Sequence, residues 1–169
     1  MTAVESPAEA LSSQHLALLF QYTVEAYKAF QKLAENVPNP MTANMFKQFA
    51  TDERENRDLT EMKAAAAATS RVRITLGADL IFSQILEKEL SPRESAEFLI
   101  SRERTMQRKL RELINAATPS DRPILLFFET VKRAHVVELE RELELLKDDP
   151  DWWKHEDAEW RIVHGASPA

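Results

Sequence analysis

Polar side chains that could bind a metal or form an ion pair recur on the apolar faces of the predicted long helices. The first set lies in segment 46–62. At helical spacing, one face of this segment carries Phe46, Phe49, Glu53, Asn56 and Thr60. Glu53 and Asn56 therefore stand where a core helix usually carries Leu or Ile. Because a buried carboxylate is costly unless it is paired, hydrogen-bonded or bound to a metal, we expect other helices to supply a partner for Glu53.

Two later helices direct further charged residues toward the same core. Glu103 lies in an apolar series between Leu99 and Met106, and Lys132 and His135 share the apolar face of the last long helix. A carboxylate, an ammonium and an imidazole are thereby added to Glu53. The set predicts either a metal site or an internal ion pair, in which Lys132 is the cation that pairs with Glu53 or Glu103.

Composition excludes several classes of function. The chain of 169 residues contains no cysteine, which excludes disulfides, iron–sulfur clusters and thiolate zinc sites. It has only two glycines, so the glycine-rich loops of Walker and Rossmann nucleotide sites are absent. The net charge of −6 and the mixing of basic with acidic residues argue against nucleic acid as a partner. No apolar run is long enough to cross a bilayer, so we expect a cytoplasmic protein with no membrane partner.

Capping signals place the first two of four long helices. Ser6, Pro7 and Glu9 predict the start of the first helix, and the apolar stripe that follows stops at Asn36. The second helix is predicted over residues 40–69.

A long crossover then separates the second helix from the third. Residues 70–90 form this crossover, and Ser91 and Glu94 form a capping box that starts the third helix. Residues 118–123 are a short turn, and the fourth helix ends at Asp149. Two antiparallel hairpins joined by a long crossover are the topology of a ferritin-like four-helix bundle, so the predicted fold class is all-α.

With these elements in place, the chain resembles the ferritin-like superfamily, most closely the rubrerythrin type. Glu53 and Asn56 occupy the positions of the Glu-x-x-His motif in that family's second helix. Lys132 and His135 occupy the positions of the same motif in its fourth helix, and Glu103 stands where its third helix carries a carboxylate.

Three of the six ligand positions that the resemblance implies are changed. They hold Phe20, Asn56 and Lys132. Family members with a complete site hold two irons and carry out ferroxidase, peroxidase or oxygenase chemistry. The resemblance therefore implies an iron or oxidative-stress role with an incomplete oxidoreductase site. The metal ligands that remain would be Glu53, Glu103 and His135, with iron or another divalent metal as the cofactor.

The residues leave three interpretations open. In the first, the metal is lost and the inward polar residues form an ion-pair network, so the protein is a metal-free helical module that acts through structural or protein contacts. In the second, a single divalent metal is retained by Glu53, Glu103 and His135. In the third, the helical register differs by a turn and these residues face solvent.

The end of the chain and the crossover offer two candidate contact surfaces. We divide the chain into a bundle, residues 1–148, and an acidic tail, residues 149–169, with Trp152, Trp153 and Trp160. We expect Trp152 and Trp153 to fold back over one end of the bundle, since exposed tryptophans are costly. The alternative is that the tail anchors a protein partner or a second copy.

The apolar residues of the crossover support the same alternative. An exposed short helix there would carry Leu80, Ile81, Phe82 and Ile85. Either surface would favour a homodimer.

Overall fold

The computed structural model describes residues 10–66 and 73–165, and within them the chain is helical with no β-strand. Four helices are long and two are short. Their bounds are α1 Ser13–Asn36, α2 Pro40–Ala66, α3 Ser83–Glu87, α4 Pro92–Ala116, α5 Arg122–Asp148 and α6 Ala158–His164, with a 3₁₀ turn at Trp152–Lys154. The predicted all-α class is confirmed. None of the described helices is long and apolar enough to cross a membrane.

The four long helices pack as two hairpins around one buried core. Helix α1 packs along α2 and α4 packs along α5, while α2 also contacts α5. Residues 37–39 and 117–121 are the only links within the two hairpins, so the helices of each pair run antiparallel. The apolar residues that face inward from all four helices form a single hydrophobic cluster.

The starts of two long helices test the capping predictions. The predicted start at Ser6 to Glu9 lies outside the described residues, and α1 begins instead at Ser13. Its N-cap is Ser12, whose hydroxyl accepts a 3.1 Å hydrogen bond from the His15 N–H. The capping box of α4 is confirmed, because the Ser91 hydroxyl accepts from the Glu94 N–H at 3.1 Å and the Glu94 side chain accepts from the Ser91 N–H at 3.3 Å.

The inward face of α1 differs from the predicted stripe. Phe20 and Tyr27, which the sequence placed on the core face, are only half-buried, whereas Tyr22 and Ala26 are fully buried. The Tyr22 hydroxyl bonds to a buried carboxylate on α4, which holds this face of α1 toward the core.

The described part of the crossover, residues 73–90, lies against the core and does not present the exposed helix that the sequence suggested. Leu80, Phe82 and Ile85 are almost fully buried, and Ile81 is half-buried. The Lys32 ammonium of α1 donates to the Ile85 carbonyl at 2.7 Å, which satisfies an acceptor at the end of α3. These apolar residues are therefore core residues and not a surface for a second chain.

The segment after α5 folds back over one end of the core. Trp153 is 3% exposed and its ring meets Phe46 edge to face, with the ring centroids 5.4 Å apart. The Asn39 N–H, just before α2, donates to the Trp153 carbonyl at 2.9 Å. The predicted packing of Trp153 against the bundle is confirmed, Trp152 is half-buried, and Trp160 remains 38% exposed.

The two tryptophans provide a matched test of this packing. Trp153→Ala should lower the free energy of unfolding by about 3–5 kcal/mol, because it leaves a cavity against Phe46. Trp160→Ala should lower it by less than about 1 kcal/mol, since Trp160 is partly exposed. Urea denaturation followed by circular dichroism measures both, and equal losses in the two variants would contradict this packing.

Candidate functional site

Each long helix contributes at least one polar side chain to a buried cluster at the centre of the protein. The members are Tyr22 from α1, Glu53 from α2, Glu103 from α4, and Lys132 and His135 from α5. None is more than 2% exposed. Four of these five residues were predicted from the sequence, and the interpretation in which they face solvent is wrong.

Lys132 lies between the two buried glutamates. Its Nζ donates to Glu53 Oε1 and lies 3.3 Å from Glu103 Oε1 and 3.2 Å from Glu103 Oε2. Burial lowers the pKa of Lys132 well below its usual value, because the interior penalises an ammonium, and the charge of Asp52 acts in the opposite direction. The carboxylates of Glu53 and Glu103, which contact Nζ directly, stabilise the ammonium form of Lys132 and so oppose the effect of burial.

His135 bridges two carboxylates from different helices. Its Nδ1 lies 2.7 Å from Glu103 Oε1 and its Nε2 lies 2.8 Å from Asp52 Oδ2, while Phe49 stacks on the ring with the centroids 4.0 Å apart. A neutral imidazole donates through only one nitrogen. The two contacts therefore require one further proton, either on the ring or on one of the carboxyl groups.

Asp52 was not anticipated from the sequence. Burial raises its pKa, but hydrogen bonds with His135 and Gln48 outweigh burial, so the pKa of Asp52 lies below its usual value. Asp52 precedes Glu53 in the chain and is half-buried at the edge of the inward face, so helical spacing gave no reason to select it. Its contact to His135 depends on the relative positions of α2 and α5.

Tyr22 is the one member of the five-residue cluster that sequence reasoning missed. Its hydroxyl donates to Glu103 Oε2 at 2.5 Å, and Lys132 Nζ lies 4.8 Å from the centre of its ring. Burial and the neighbouring Glu103 charge raise the pKa of Tyr22 well above its usual value, so the phenol stays neutral and acts as a donor. The available signal was the spacing of Tyr22 with Leu19 and Ala26 on one face of α1.

Some polar atoms of the cluster have no protein partner. The Oε2 atom of Glu53 and both side-chain polar atoms of Asn56 are buried and make no hydrogen bond to any described residue. Asn56 is one turn from Glu53 on the same face of α2, and it is 1% exposed. Buried polar atoms of this kind are costly, so this side of the cluster is suited to a further polar ligand.

The donor set can be compared with the metal sites that the sequence suggested. Glu53, Glu103 and His135 each offer one ligand atom, and these atoms lie within 4.8 Å of one another. Two irons do not fit, because two carboxylates cannot offset their charge and the Lys132 amine already contacts both. A single divalent ion has three donors available, but only if Lys132 gives up its contacts with Glu53 and Glu103. Phe20, half-buried on α1, supplies no donor.

Comparison with known proteins identified no relative of this chain. No family model matches the chain, and neither the curated proteins nor the solved structures contain a match. The resemblance to the ferritin-like superfamily therefore stays a prediction from the residues.

Removing the central cation should be costly. Lys132→Met should lower the free energy of unfolding by about 3–5 kcal/mol, because it leaves buried carboxylates without their cation. Lys147→Met removes a lysine from the exposed pair with Glu144 on the same helix and should cost less than about 1 kcal/mol. Chemical denaturation of both variants at neutral pH provides the comparison, and similar small losses would show that Lys132 is not needed to balance charge.

The contact between Asp52 and His135 predicts that the free energy of unfolding depends on pH. Because folding lowers the pKa of Asp52, its stabilising contribution is complete above the usual carboxyl pKa and is lost as the pH falls through the lower, folded value. Asp52→Asn should therefore be less stable than the parent at neutral pH, and the difference should shrink below about pH 3–4.

Exposed Asp58 on the same helix is the matched control. The free energy of unfolding of Asp58→Asn should match that of the parent over the whole pH range. If the difference in free energy of unfolding between Asp52→Asn and the parent stays constant with pH, the lowered pKa of Asp52 does not stabilise the fold.

Proposed function

We propose that this chain is a ferritin-like protein of the rubrerythrin type in which an internal ion-pair network stands in place of the metal centre. In this proposal the protein acts as a metal-free structural or interaction module and not as an oxidoreductase. The observation that carries the proposal is the position of Lys132, whose Nζ contacts both Glu53 and Glu103, the two carboxylates that would otherwise bind metal.

The order of the helices supports the fold assignment within this proposal. Two hairpins, α1 with α2 and α4 with α5, are separated by a connection that contains the short helix α3. Polar residues project inward from all four long helices, as the ligands do in ferritin-like bundles. A simple up-and-down bundle would need neither the long connection nor the central charges.

Electrostatics supports the loss of a two-metal centre. A ferrous pair is normally offset by several carboxylates, whereas Lys132 already balances one of the two fully buried glutamates. An ammonium within a few ångströms of a bound cation would repel it by several kcal/mol in a poorly screened interior, on the order of 4 kcal/mol at 4 Å. In this proposal the Lys132 ammonium thus supplies the positive charge that a metal ion would supply.

A second candidate function is retained binding of one divalent ion at Glu53, Glu103 and His135, with iron, manganese or zinc as the metal. Two observations favour it. The three ligand atoms lie within 4.8 Å of one another, and Glu53 Oε2 and the Asn56 carbonyl oxygen have no partner among the described residues. Under this candidate the role inherited from the family would be iron redox or oxidative-stress chemistry.

Metal analysis separates the two candidates. Protein purified without chelator should contain less than about 0.1 metal ion per chain, and ferrous titration under air should give no new absorbance band. Lys132→Glu should raise bound metal to about one per chain, because it replaces the ammonium with a carboxylate donor. Retention of about one metal ion by the parent, and its loss in Glu53→Ala, would establish the second candidate instead.

An interaction module needs a surface for its partner, and the outer face of α5 is the surface that we propose. Leu126 is 43% exposed and Val137 is 62% exposed, and the two residues lie about three turns apart on one side of the helix. Phe127, 45% exposed, borders the same side. The exposed Arg133 lies between Leu126 and Val137, so these apolar residues form a discontinuous surface on α5, and the proposed partner of this surface is a second copy.

Light scattering tests the partner directly. The parent should have the mass of a dimer, and Val137→Glu should convert it to a monomer without loss of helix content, because a buried charge would enter the contact. An exposed polar position on the same helix, Glu144→Gln, serves as the control. A monomeric parent would contradict the proposed partner but not the ion-pair centre.

A further inference from the structure

A groove of about 370 Å³ lies between α4 and α5. This volume falls within the range of small-molecule sites, about 300–1,000 Å³. The residues that line the groove come from one stripe of α4, at successive turns, and from one position of α5. They are Glu97, Ile100, Ser101, Arg104, Arg108 and Leu143. None of them belongs to the buried polar centre.

The floor of the groove is apolar and its rim is polar. Ile100 is buried and Leu143 is half-buried, and both pack with the hydrophobic core. We call these two residues the apolar floor. Ser101, Arg104 and Arg108 are exposed at the rim. A ligand in this groove would therefore meet an apolar surface below and guanidinium groups beside it.

Arg108 is a cation of this groove that has no carboxylate partner among the described residues. Its guanidinium donates to the Thr105 hydroxyl at 3.1 Å, whereas the neighbouring Arg104 pairs with Glu140 of α5. A guanidinium has five N–H donors, so both arginines keep donors for a bound group. Because a guanidinium matches the paired oxygens of a carboxylate or a phosphate, this end of the groove favours an anion.

The surrounding charges leave the Arg108 end of the groove positive. Arg111 lies about one turn after Arg108. It shares the carboxylate of Glu129 with Arg133 of α5, at 3.2 Å and 3.7 Å, so two guanidinium groups surround one carboxylate. Glu97, at the opposite end, is about 16 Å from Arg108 along the helix axis. That separation exceeds the screening length of about 8 Å in physiological salt, so Glu97 opposes an anion at Arg108 only weakly.

We propose that this groove binds an amphipathic anion, which consists of a carboxylate or phosphate head group on a short apolar chain. The head group pairs with Arg108 and Arg104, and the chain lies over the apolar floor. The proposal goes beyond the function proposed above and does not depend on it, since it involves neither Lys132 nor any candidate metal ligand.

The exposed apolar residues of α5 are the main competitor for an apolar chain. Leu126, Phe127 and Val137 are each more than 40% exposed, and none of them lines the groove. Binding there would depend on the chain and not on an anionic head group. A test must therefore report where the ligand binds and whether the head group matters.

Titration of the full-length, ¹⁵N-labelled protein with octanoate and with octyl phosphate, followed by amide chemical shifts, answers both questions. Both probes are kept below the concentrations at which they form micelles. Saturable shifts should appear in residues 97–108 and 140–143 for at least one of the two anions, and the one that binds more tightly identifies the head group. 1-Octanol and octylammonium keep the chain and lack the anion, so they should bind at least about fivefold more weakly.

Two substitutions test the groove itself. Arg108→Gln should weaken binding of the anion at least about fivefold, because it removes the guanidinium that has no carboxylate partner among the described residues. Ser101→Leu should also weaken binding, since the larger side chain narrows the groove without changing any charge. The control is Arg57→Gln, which removes an equal charge from an ion pair on α2 and should bind like the parent.

Several results would overturn the proposal. They are the absence of saturable shifts with either anion, equal affinity for 1-octanol, and unchanged affinity in Arg108→Gln. Shifts centred on Leu126 and Val137 would transfer binding to the exposed apolar residues of α5. Inorganic phosphate that binds as tightly as octyl phosphate would show that the apolar floor contributes nothing, which would leave a simple anion site in place of the proposed one.

Discussion

The contacts of Lys132 with Glu53 and Glu103 are the interaction on which the rest of the core depends. Two carboxylates with no exposure to solvent would be strongly destabilising alone, and a single ammonium reduces that cost. The ion pairs connect α5 to α2 and to α4, and the Tyr22 hydroxyl adds α1 through Glu103. The contacts of Lys132 and Glu103 therefore help to fix the register of all four long helices.

In the proposed metal-free centre, this arrangement would allow the buried carboxylates to remain without a bound metal. An ion-pair network needs the same inward carboxylates as a metal site, but it replaces several positive charges by one and uses donors that belong to the chain. His135 illustrates the point, since its two nitrogens bond to Glu103 and Asp52 and are not left free for a metal. Only Asn56 and one oxygen of Glu53 remain without a protein partner among the described residues of this centre.

Helical periodicity predicted the parts of the site that lie in the middle of regular helices. Glu53 and Asn56 shared a face with phenylalanines that must be buried, and Lys132 and His135 shared a face with Phe128, so their inward direction followed from spacing alone. The capping box of α4 was predictable for a similar reason, because both of its partners lie within one turn.

The parts that escaped prediction depend on how the helices sit against one another. Asp52 lies at the edge of the inward face of α2 and becomes relevant only because α5 brings His135 beside it. Tyr22 was passed over because Phe20 and Tyr27 gave an equally regular apolar series on α1. The burial of Leu80 and Phe82 in the crossover likewise follows from tertiary packing and not from local pattern.

The claim that Lys132 balances Glu53 is most directly tested by a double-mutant cycle of Lys132→Met and Glu53→Gln, with the free energy of unfolding measured for all four proteins. The two substitutions should be strongly coupled, by at least about 2 kcal/mol, since removing both charges spares the protein an unpaired buried ion. Additive effects, within about 0.5 kcal/mol, would contradict the central role of the Lys132–Glu53 pair.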